Sequence, residues 1–316
     1  MDKKLVIWLL ILIFASIVSF LFNPTLIKKT DNEKLQITAS FYPLYFFSSQ
    51  IGGDKAEVWN ITPAGSEPHD YEPTIQDIVR IENSDMLVLN GIVEAWGDRI
   101  KDNLKGKNVK ILTVGDGLFT TELSEENHHH HEAENHHDHE MQDPHVWLNP
   151  ILMKKQVERI TDGYISIDPK NSDYYNENKK QADIMLDQLD ADYRQGLASC
   201  QSKDIITSHT AFAYLAEEYG LNQVSISGIS PEEEPSAQQL AEVANFAKQN
   251  NVKYIFFESL VSPKLSETIA GEVGAKTLVL DPLEGISDND TKLGKNYFTI
   301  MKDNLKNLQI ALQCSK

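Results

Sequence analysis

The chain has 316 residues, of which 41% are hydrophobic and 24% charged, and its formal net charge is −18 at pH 7. This length and hydrophobic content suit two globular units and exclude a chain that is disordered throughout. The acidic charge argues against a nucleic-acid partner, because phosphate binding needs a basic surface. An acidic surface suits the attraction of cations, although solubility alone explains it equally well.

The N-terminus has the pattern of an export signal. Lys3 and Lys4 precede an apolar run from Leu5 to Phe22, and neither a small-residue cleavage site nor a cysteine for lipid attachment follows that run. Residues 1–29 are therefore expected to be either a signal peptide or an uncleaved membrane anchor. The basic residues before the run and the acidic body after it place the body outside the cytoplasm.

From Leu35 onward, short β-rich runs alternate with helical patterns, which is typical of a mostly parallel sheet. The runs form two groups of four. They are LQITAS (35 to 40), EVWNIT (57 to 62), MLVLN (86 to 90), KILTV (110 to 114), DIITS (204 to 208), QVSIS (223 to 227), VKYIFFE (252 to 258) and TLVLD (277 to 281). The pattern predicts an α/β protein with two lobes, each containing a mostly parallel four-stranded sheet flanked by helices.

One long helix is predicted between the lobes. From Pro169 to Leu197, apolar residues recur at helical spacing without an internal proline, which predicts a connector of roughly 40 Å. A helix packed within one lobe is the alternative. The expected organisation is an N-terminal lobe over 30–167, a linker helix over 168–198 and a C-terminal lobe over 199–316.

Local signals mark the ends of several helices. Capping residues precede four predicted helices, and glycines stand where two helices should stop. The N-caps are Thr74, Asn149, Ser236 and Ser262, and the stops are Gly220 and Gly274. These boundaries place the polar residues discussed next in turns.

Four potential metal ligands stand in turns or at strand ends. His69 lies in the turn GSEPHDYEPT (65 to 74), and His145, His209 and Asp281 occupy comparable places. Because ligands bind at the carboxyl edge of an open α/β sheet, the four are expected to face a shared cleft. Three imidazoles and one carboxylate form the tetrahedral set that suits Zn²⁺. His209 opens a predicted helix, whose dipole repels an imidazolium, so a neutral ring is expected there.

A second potential metal-binding feature is a mobile loop predicted over residues 124–142. It contains seven histidines interleaved with acidic residues, and no apolar side chain larger than alanine lies among them. The histidines are His128, His129, His130, His131, His136, His137 and His139. Such a density of imidazoles binds zinc, copper or nickel weakly, which suggests a local trap that supplies the cleft. A tolerated surface insertion is the alternative.

Five motifs follow one another along the chain. They are GSEPHDYEPT (65 to 74), DPHVWLNP (143 to 150), TSHTAFAYLAEEYGL (207 to 221), GISPEEEPSAQQL (228 to 240) and LDPLEG (280 to 285). In order and spacing they resemble the zinc and manganese solute-binding proteins of ABC importers, from Leu35 to the C-terminus. The resemblance implies two α/β lobes joined by one long helix, a metal held between them, no enzymatic activity and an ABC permease as membrane partner.

Transferred by motif, the metal ligands are His69, His145, His209 and Asp281. Manganese-type members usually carry a glutamate in place of His209, so the histidine and the His-rich loop favour Zn²⁺ as the transported ligand. A manganese-binding member is the alternative. In some relatives a glutamate beside the first histidine or a water completes the shell, which leaves Asp281, Glu67 and water open as the fourth ligand.

Two other classes of protein also fit some of these features. A secreted zinc hydrolase would leave one metal position to water and use Glu67 or Glu258 as a base, but the chain contains no HExxH or GxSxG motif. In a binding protein, Glu67 and Glu258 would either contact the metal ligands without binding the metal or be ordinary exposed carboxylates. An adhesin or surface scaffold is the third class. A monomer is expected.

The two cysteines, Cys200 and Cys314, both lie in the C-terminal half. In an oxidising compartment a bridge between them would close a long loop and contribute a few kcal/mol. Two unpaired thiols are equally compatible with the sequence, because spacing does not show whether the two side chains meet. Similar cysteines in some zinc-type members resemble these only loosely.

Overall fold

The computed structural model describes residues 34–119 and 142–315. The predicted export segment and the seven loop histidines lie outside these ranges. Within them, no helix has both the length and the apolar character needed to cross a membrane.

The N-terminal lobe is built on four parallel strands in the order β2-β1-β3-β4. The strands are β1 Leu35–Ala39, β2 Ala56–Asn60, β3 Met86–Leu89 and β4 Lys110–Thr113, and the helices are α1 Tyr42–Gly52, α2 Ile75–Glu82 and α3 Gly97–Asn103. The central strand β1 pairs with both β2 and β3. All four residues of β3 are buried, as expected for an inner strand covered on both faces.

Two longer helices lead from this lobe to the next. Helix α4 covers Pro150–Ile167, and helix α5 covers Ser172–Leu197 after a short 3₁₀ turn at Pro169–Asn171. The predicted linker helix is therefore present, with its α-helical part starting three residues later than Pro169.

Helix α5 bonds to both lobes. The Asn178 side chain donates to the carbonyl of Ile51 at the end of α1, over 2.9 Å. The Tyr193 hydroxyl donates to the carbonyl of Met301 in the other lobe, over 2.8 Å. These contacts argue against a helix packed within one lobe.

The C-terminal lobe repeats the same topology, with strand order β6-β5-β7-β8 and only parallel pairing among the named strands. The strands are β5 Asp204–Thr207, β6 Asn222–Ser225, β7 Tyr254–Phe257 and β8 Lys276–Val279, and the helices are α6 Ala213–Tyr219, α7 Ala237–Gln249, α8 Lys264–Val273, α9 Asp288–Lys292 and α10 Tyr297–Ala311. Each of the eight predicted β-rich runs overlaps one strand, and β2, β6 and β8 each begin one residue before the predicted run. The predicted fold class is confirmed.

Most of the predicted helix ends are also confirmed. Thr74 and Ser236 form capping boxes, and the Asn149 side chain accepts the first free N–H groups of α4. Gly220 and Gly274 end their helices in the left-handed conformation. The prediction for Ser262 is wrong, because α8 starts at Lys264 and the residue at its N-cap position is Pro263, which provides no side-chain bond.

One hydrophobic core extends through both lobes and includes the buried face of α5. The ring centroids of Phe47 in α1 and Tyr297 in α10 lie 4.9 Å apart. Trp147 donates its indole N–H to the carbonyl of Pro282 over 2.7 Å and accepts from the Tyr297 hydroxyl through its own carbonyl over 2.6 Å. Separating the lobes would expose these apolar surfaces to water, so the shared core opposes a wide hinge motion.

Cys200 and Cys314 form a disulfide. Cys200 follows helix α5 and Cys314 follows helix α10, and the two residues also form an isolated antiparallel bridge. Of the two possibilities left open by the sequence, the structure has the closed loop of sequence separation 114.

Shortening a buried side chain of α5 tests the role of this helix in the core. Leu189 is 1% exposed and Ile184, in the same helix, is 54% exposed. Leu189→Ala should lower the free energy of unfolding by about 2–5 kcal/mol, because it leaves a cavity. Ile184→Ala, the matched control, should change it by less than about 0.5 kcal/mol. Urea unfolding of the metal-free protein checks both values, and equal effects would contradict the described packing.

Candidate metal centre

His69 lies in the loop between β2 and α2, which approaches the loop after β8. The N–H of Gly65 donates to the carbonyl of Ile286 over 3.0 Å, and Gly65 has a φ of 78°, which favours glycine. A Cβ on Gly285 would lie 3.1 Å from the carbonyl oxygen of Ser66. Glycines thus allow a loop of each lobe to meet beside His69.

His145 and His209 are positioned by a turn and by loop hydrogen bonds. His145 precedes a 3₁₀ turn at Val146–Leu148. His209 follows β5, where its carbonyl accepts from the Thr207 hydroxyl over 2.8 Å. The next N–H, from Thr210, donates to the carbonyl of Gly228 over 2.7 Å. Both histidine side chains are completely buried, whereas that of His69 is 10% exposed.

These three histidines meet around one carboxylate oxygen, Oε1 of Glu284. This oxygen lies 3.2 Å from Nε2 of His69, 3.0 Å from Nε2 of His145 and 3.2 Å from Nε2 of His209. The Nε2 atom of His145 also lies 3.3 Å from Nε2 of each of the other two histidines. Among the described residues, this is the group of ligating side chains that could hold a metal ion.

Five of the six distances between these atoms are close to those in a tetrahedral zinc shell, and all four atoms lie within 4.8 Å of one another. Ligands at about 2.0–2.1 Å from a zinc ion lie about 3.3–3.4 Å from one another in a regular tetrahedron. These five distances in the cluster span 3.0 to 3.3 Å. Nitrogen lone pairs and a carboxylate oxygen repel one another at such distances unless a proton or a metal ion lies between them. The chemistry of the donor set therefore suits a cation.

Asp281, the expected fourth ligand, lies outside this cluster, and Glu284 stands in its place. The Asp281 carboxylate instead accepts from the backbone N–H of Leu283 over 2.8 Å and from the Ser259 hydroxyl over 2.5 Å. Leu283 has a φ of 57°, in the left-handed region. This conformation turns the chain back, so that Glu284 rather than Asp281 meets the histidines. The motif LDPLEG contains this glutamate, but the sequence pattern predicted its aspartate as the ligand.

The cluster changes the pKa of its members. Burial by itself lowers the pKa of His145, but the carboxylates of Asp143 and Glu284 outweigh it, and the net shift is upward. The same opposition, with Glu284 and Glu258 as the carboxylates, raises the pKa of His209 well above its ordinary value. Burial disfavours a charged Glu284, yet the neighbouring histidines hold its pKa well below the ordinary range.

The expectation of a neutral His209 therefore needs correction for the metal-free protein. It assumed that the ring stands at a helix N-terminus, but helix α6 begins only at Ala213. The carboxylates of Glu284 and Glu258 stabilise a proton on the ring instead. A metal ion that binds here must displace that proton.

Glu67 and Glu258, the two glutamates that the sequence placed near the ligands, differ in their contacts. Glu258 is 3% exposed, and its Oε1 accepts from Nδ1 of His209 over 2.7 Å, so it is not an exposed carboxylate. Glu67 accepts from the backbone N–H of His69 over 3.3 Å. Burial and the nearby charge of Glu284 raise the pKa of Glu67 to about 10. Glu67 is not among the four clustered ligands.

The fold and the site together define a metal-binding protein of two α/β lobes, and comparison with known proteins identifies its family. A family model described as "Zinc-uptake complex component A periplasmic" matches residues 37–311. The chain belongs to this family. The resemblance inferred from the five motifs is thereby confirmed.

Individual relatives agree with this assignment. The chain is 43% identical over 284 residues to the high-affinity zinc uptake system protein ZnuA of Bacillus subtilis (strain 168), covering 90% of this chain and 89% of that protein. It is 40% identical over 284 residues to the zinc-binding lipoprotein AdcA of Streptococcus pneumoniae (strain ATCC BAA-255 / R6), covering 89% of this chain but only 56% of that protein. The Zn(II)-bound ZnuA-like domain of Streptococcus pneumoniae AdcA superposes with a TM-score of 0.75 at 39% identity, over 89% of this chain and 99% of that one.

Paired substitutions distinguish Glu284 from Asp281 as a ligand. Glu284→Gln removes the charge from the oxygen that meets all three histidines and should weaken zinc binding by more than about 100-fold. Asp281→Asn keeps an oxygen for the Leu283 N–H and should cost at least about 10-fold less. Competition with a chromophoric zinc chelator measures both affinities. A severe loss in the Asp281 variant with a mild loss in the Glu284 variant would reverse the assignment.

The raised pKa values of His145 and His209 predict a pH-dependent affinity. Protons occupy these rings below their raised pKa values and compete with zinc, while Glu284 stays ionised. Apparent zinc affinity should therefore fall by at least about 10-fold between about pH 7.5 and pH 5.5. A protein lacking residues 128–139 removes the contribution of the loop histidines. An affinity that stays constant over this interval would contradict the proton competition.

Proposed function

We propose that the protein binds Zn²⁺ outside the cytoplasm through His69, His145, His209 and Glu284 and delivers it to an ABC-type importer. The observation that carries this proposal is the convergence of four donor atoms where the two lobes meet, with five of their six separations close to those of a tetrahedral zinc shell. Membership of the zinc-uptake family supports it independently.

The donor set favours zinc over manganese. Three imidazole nitrogens and one carboxylate oxygen suit Zn²⁺, whereas Mn²⁺ prefers a shell richer in oxygen. His209 is completely buried in the cluster, at the position where the family resemblance implies a glutamate in manganese-type members. A manganese-binding member of the family is therefore the less favoured alternative.

The arrangement also favours holding the metal over using it in a reaction. A catalytic zinc site keeps one position for water or substrate, whereas four protein ligands close the shell. Here Glu284 occupies the position that a hydrolase would leave to water. The family is a solute-binding component of zinc uptake and not an enzyme.

Capture and release involve local movement in this proposal. His69 is the most exposed of the three histidines, so its loop is the side from which a metal ion approaches. The core shared by both lobes and the attachment of α5 to each of them oppose wide opening. Zinc therefore leaves when the ligand-bearing loops rearrange on the membrane permease.

Several parts of the proposal rest on the sequence alone. Attachment to the membrane through residues 1–29, a monomeric state and metal trapping by the loop histidines remain predictions. The lipoprotein named among the relatives supports an exported location at the membrane. The adhesin or scaffold interpretation is separated from zinc capture by the metal content of the purified protein.

Competitive titration of the full-length protein with Zn²⁺ and Mn²⁺ tests the proposal. We expect one tight zinc site that prefers Zn²⁺ and that persists after deletion of residues 128–139, because its four ligands lie outside that loop. His209→Ala should weaken this site by more than about 100-fold, since it removes a ligand. The loop deletion is the matched control, because it removes seven histidines without touching the cluster.

Two results would overturn the proposal. Equal competition by Mn²⁺ would remove the preference for zinc. Loss of tight binding with the loop alone, together with normal binding by the His209 variant, would place the zinc site in the loop rather than between the lobes.

A further inference from the structure

Two buried carboxylates outside the cluster each bond to one of its histidines. Nδ1–H of His145 donates to Oδ1 of Asp143 over 2.6 Å, and Nδ1–H of His209 donates to Oε1 of Glu258 over 2.7 Å. The same two oxygens accept the backbone N–H of the same two histidines, over 2.9 and 3.2 Å. One oxygen therefore fixes both the ring and the backbone of each histidine.

The two carboxylates come from different parts of the fold. Asp143 precedes His145 by two residues, and its own carbonyl accepts from the Tyr214 hydroxyl over 2.9 Å. Glu258 directly follows strand β7 and reaches His209 across the sheet edge, over a sequence separation of 49. Asp143 is 1% exposed and Glu258 3% exposed. Unrelated local structures thus produce the same contact in the two lobes.

His69 lacks this contact. Its backbone N–H donates to Glu67, but no hydrogen bond to its Nδ1 is found within residues 34–119 and 142–315. Its side chain is also the one that reaches the surface. The cluster therefore combines two histidines whose Nδ1 atoms bond to carboxylates with a third whose Nδ1 has no such bond in the described structure.

Asp143 has a further unusual feature. Its second oxygen, Oδ2, is buried and has no hydrogen-bond partner among the described residues. A buried, unpaired carboxylate oxygen is unfavourable, so it calls for an explanation beyond local turn formation. Negative charge behind a metal-binding imidazole makes the ring a stronger donor and fixes its tautomer. That use explains why a carboxylate is placed here.

We propose that Asp143 and Glu258 are positioning residues, which hold His145 and His209 with Nδ1 protonated and Nε2 directed at the metal. The inference rests on the proposed function, zinc capture by the cluster. Two of the four ligands are then oriented before the metal arrives, and zinc itself fixes the ring of His69. Orientation in advance strengthens binding, because less conformational freedom is lost when the metal binds.

Charge-removing substitutions test this role in the full-length protein. Asp143→Asn and Glu258→Gln should each weaken zinc binding by about 10–100-fold. Glu94→Gln is the matched control. Glu94 is also buried, at 5% exposure, and accepts from the backbone N–H groups of Asn90 and Gly91, but it bonds to none of the cluster histidines in the described structure. Its substitution should change zinc affinity by less than about 10-fold.

A spectroscopic measurement separates positioning from general damage. In the zinc-loaded protein labelled with ¹⁵N-histidine, the Nδ1–H signals of His145 and His209 should show hydrogen-bonded shifts and slow exchange with water. Asp143→Asn should alter the signal of His145 alone, and Glu258→Gln that of His209 alone. If either variant folds poorly, Asp143→Glu and Glu258→Asp keep the charge but displace the oxygen, and each should alter the same signal.

The outcomes are distinguishable. A wild-type protein without a tight zinc site overturns the proposed function and the positioning role with it. Tight zinc binding by the wild type with equal affinities in the two variants overturns the positioning role alone. Weaker binding with unchanged Nδ1–H signals, or an equal loss in the Glu94 variant, would also overturn it, because the carboxylates would then only stabilise the fold.

Discussion

The structure is organised around four donor atoms that repel one another unless protons or a metal ion lie between them. Three imidazole Nε2 atoms surround one oxygen of Glu284 at 3.0 to 3.2 Å, in a site from which water is largely excluded. At low dielectric such a group needs protons or a metal ion. The N-terminal lobe contributes His69 and His145 to this group, and the C-terminal lobe contributes His209 and Glu284. Charge balance at the site therefore also links the lobes.

The surrounding frame keeps these atoms together by apolar packing rather than by a hinge. Trp147, two residues after His145, bonds to the carbonyl of Pro282 on the other lobe and packs against Phe41, with ring centroids 4.8 Å apart. Tyr297 bonds back to the carbonyl of Trp147. A change in the separation of the lobes would disturb these contacts of Trp147 as well as the cluster of donor atoms. Metal affinity and folding stability thus depend on the same contacts. Local loop motion costs less free energy than separation of the lobes when a metal ion binds.

Features set by local chemistry could be predicted from the sequence, and features set by distant contacts could not. Alternating β-rich and helical patterns predicted both sheets, and the three histidines were identified by their places at strand ends and turns. Glu284 was missed because the backbone of Leu283 adopts a left-handed conformation that leucine rarely takes. Burial of the Leu283 side chain and the bond from its N–H to Asp281 stabilise that turn. The start of helix α6 was misplaced for a similar reason, because Thr210 bonds to the distant Gly228.

The disulfide has a consequence for a protein exported from the cytoplasm. Cys200 and Cys314 enclose nearly the whole C-terminal lobe in one covalent ring, and both His209 and Glu284 lie inside it. A protease that cuts one exposed loop of this lobe opens the ring without releasing a fragment. His209 and Glu284 then remain joined through the bridge, at a high effective concentration for one another. A protein cut once in this lobe therefore retains both residues that the lobe contributes to the site.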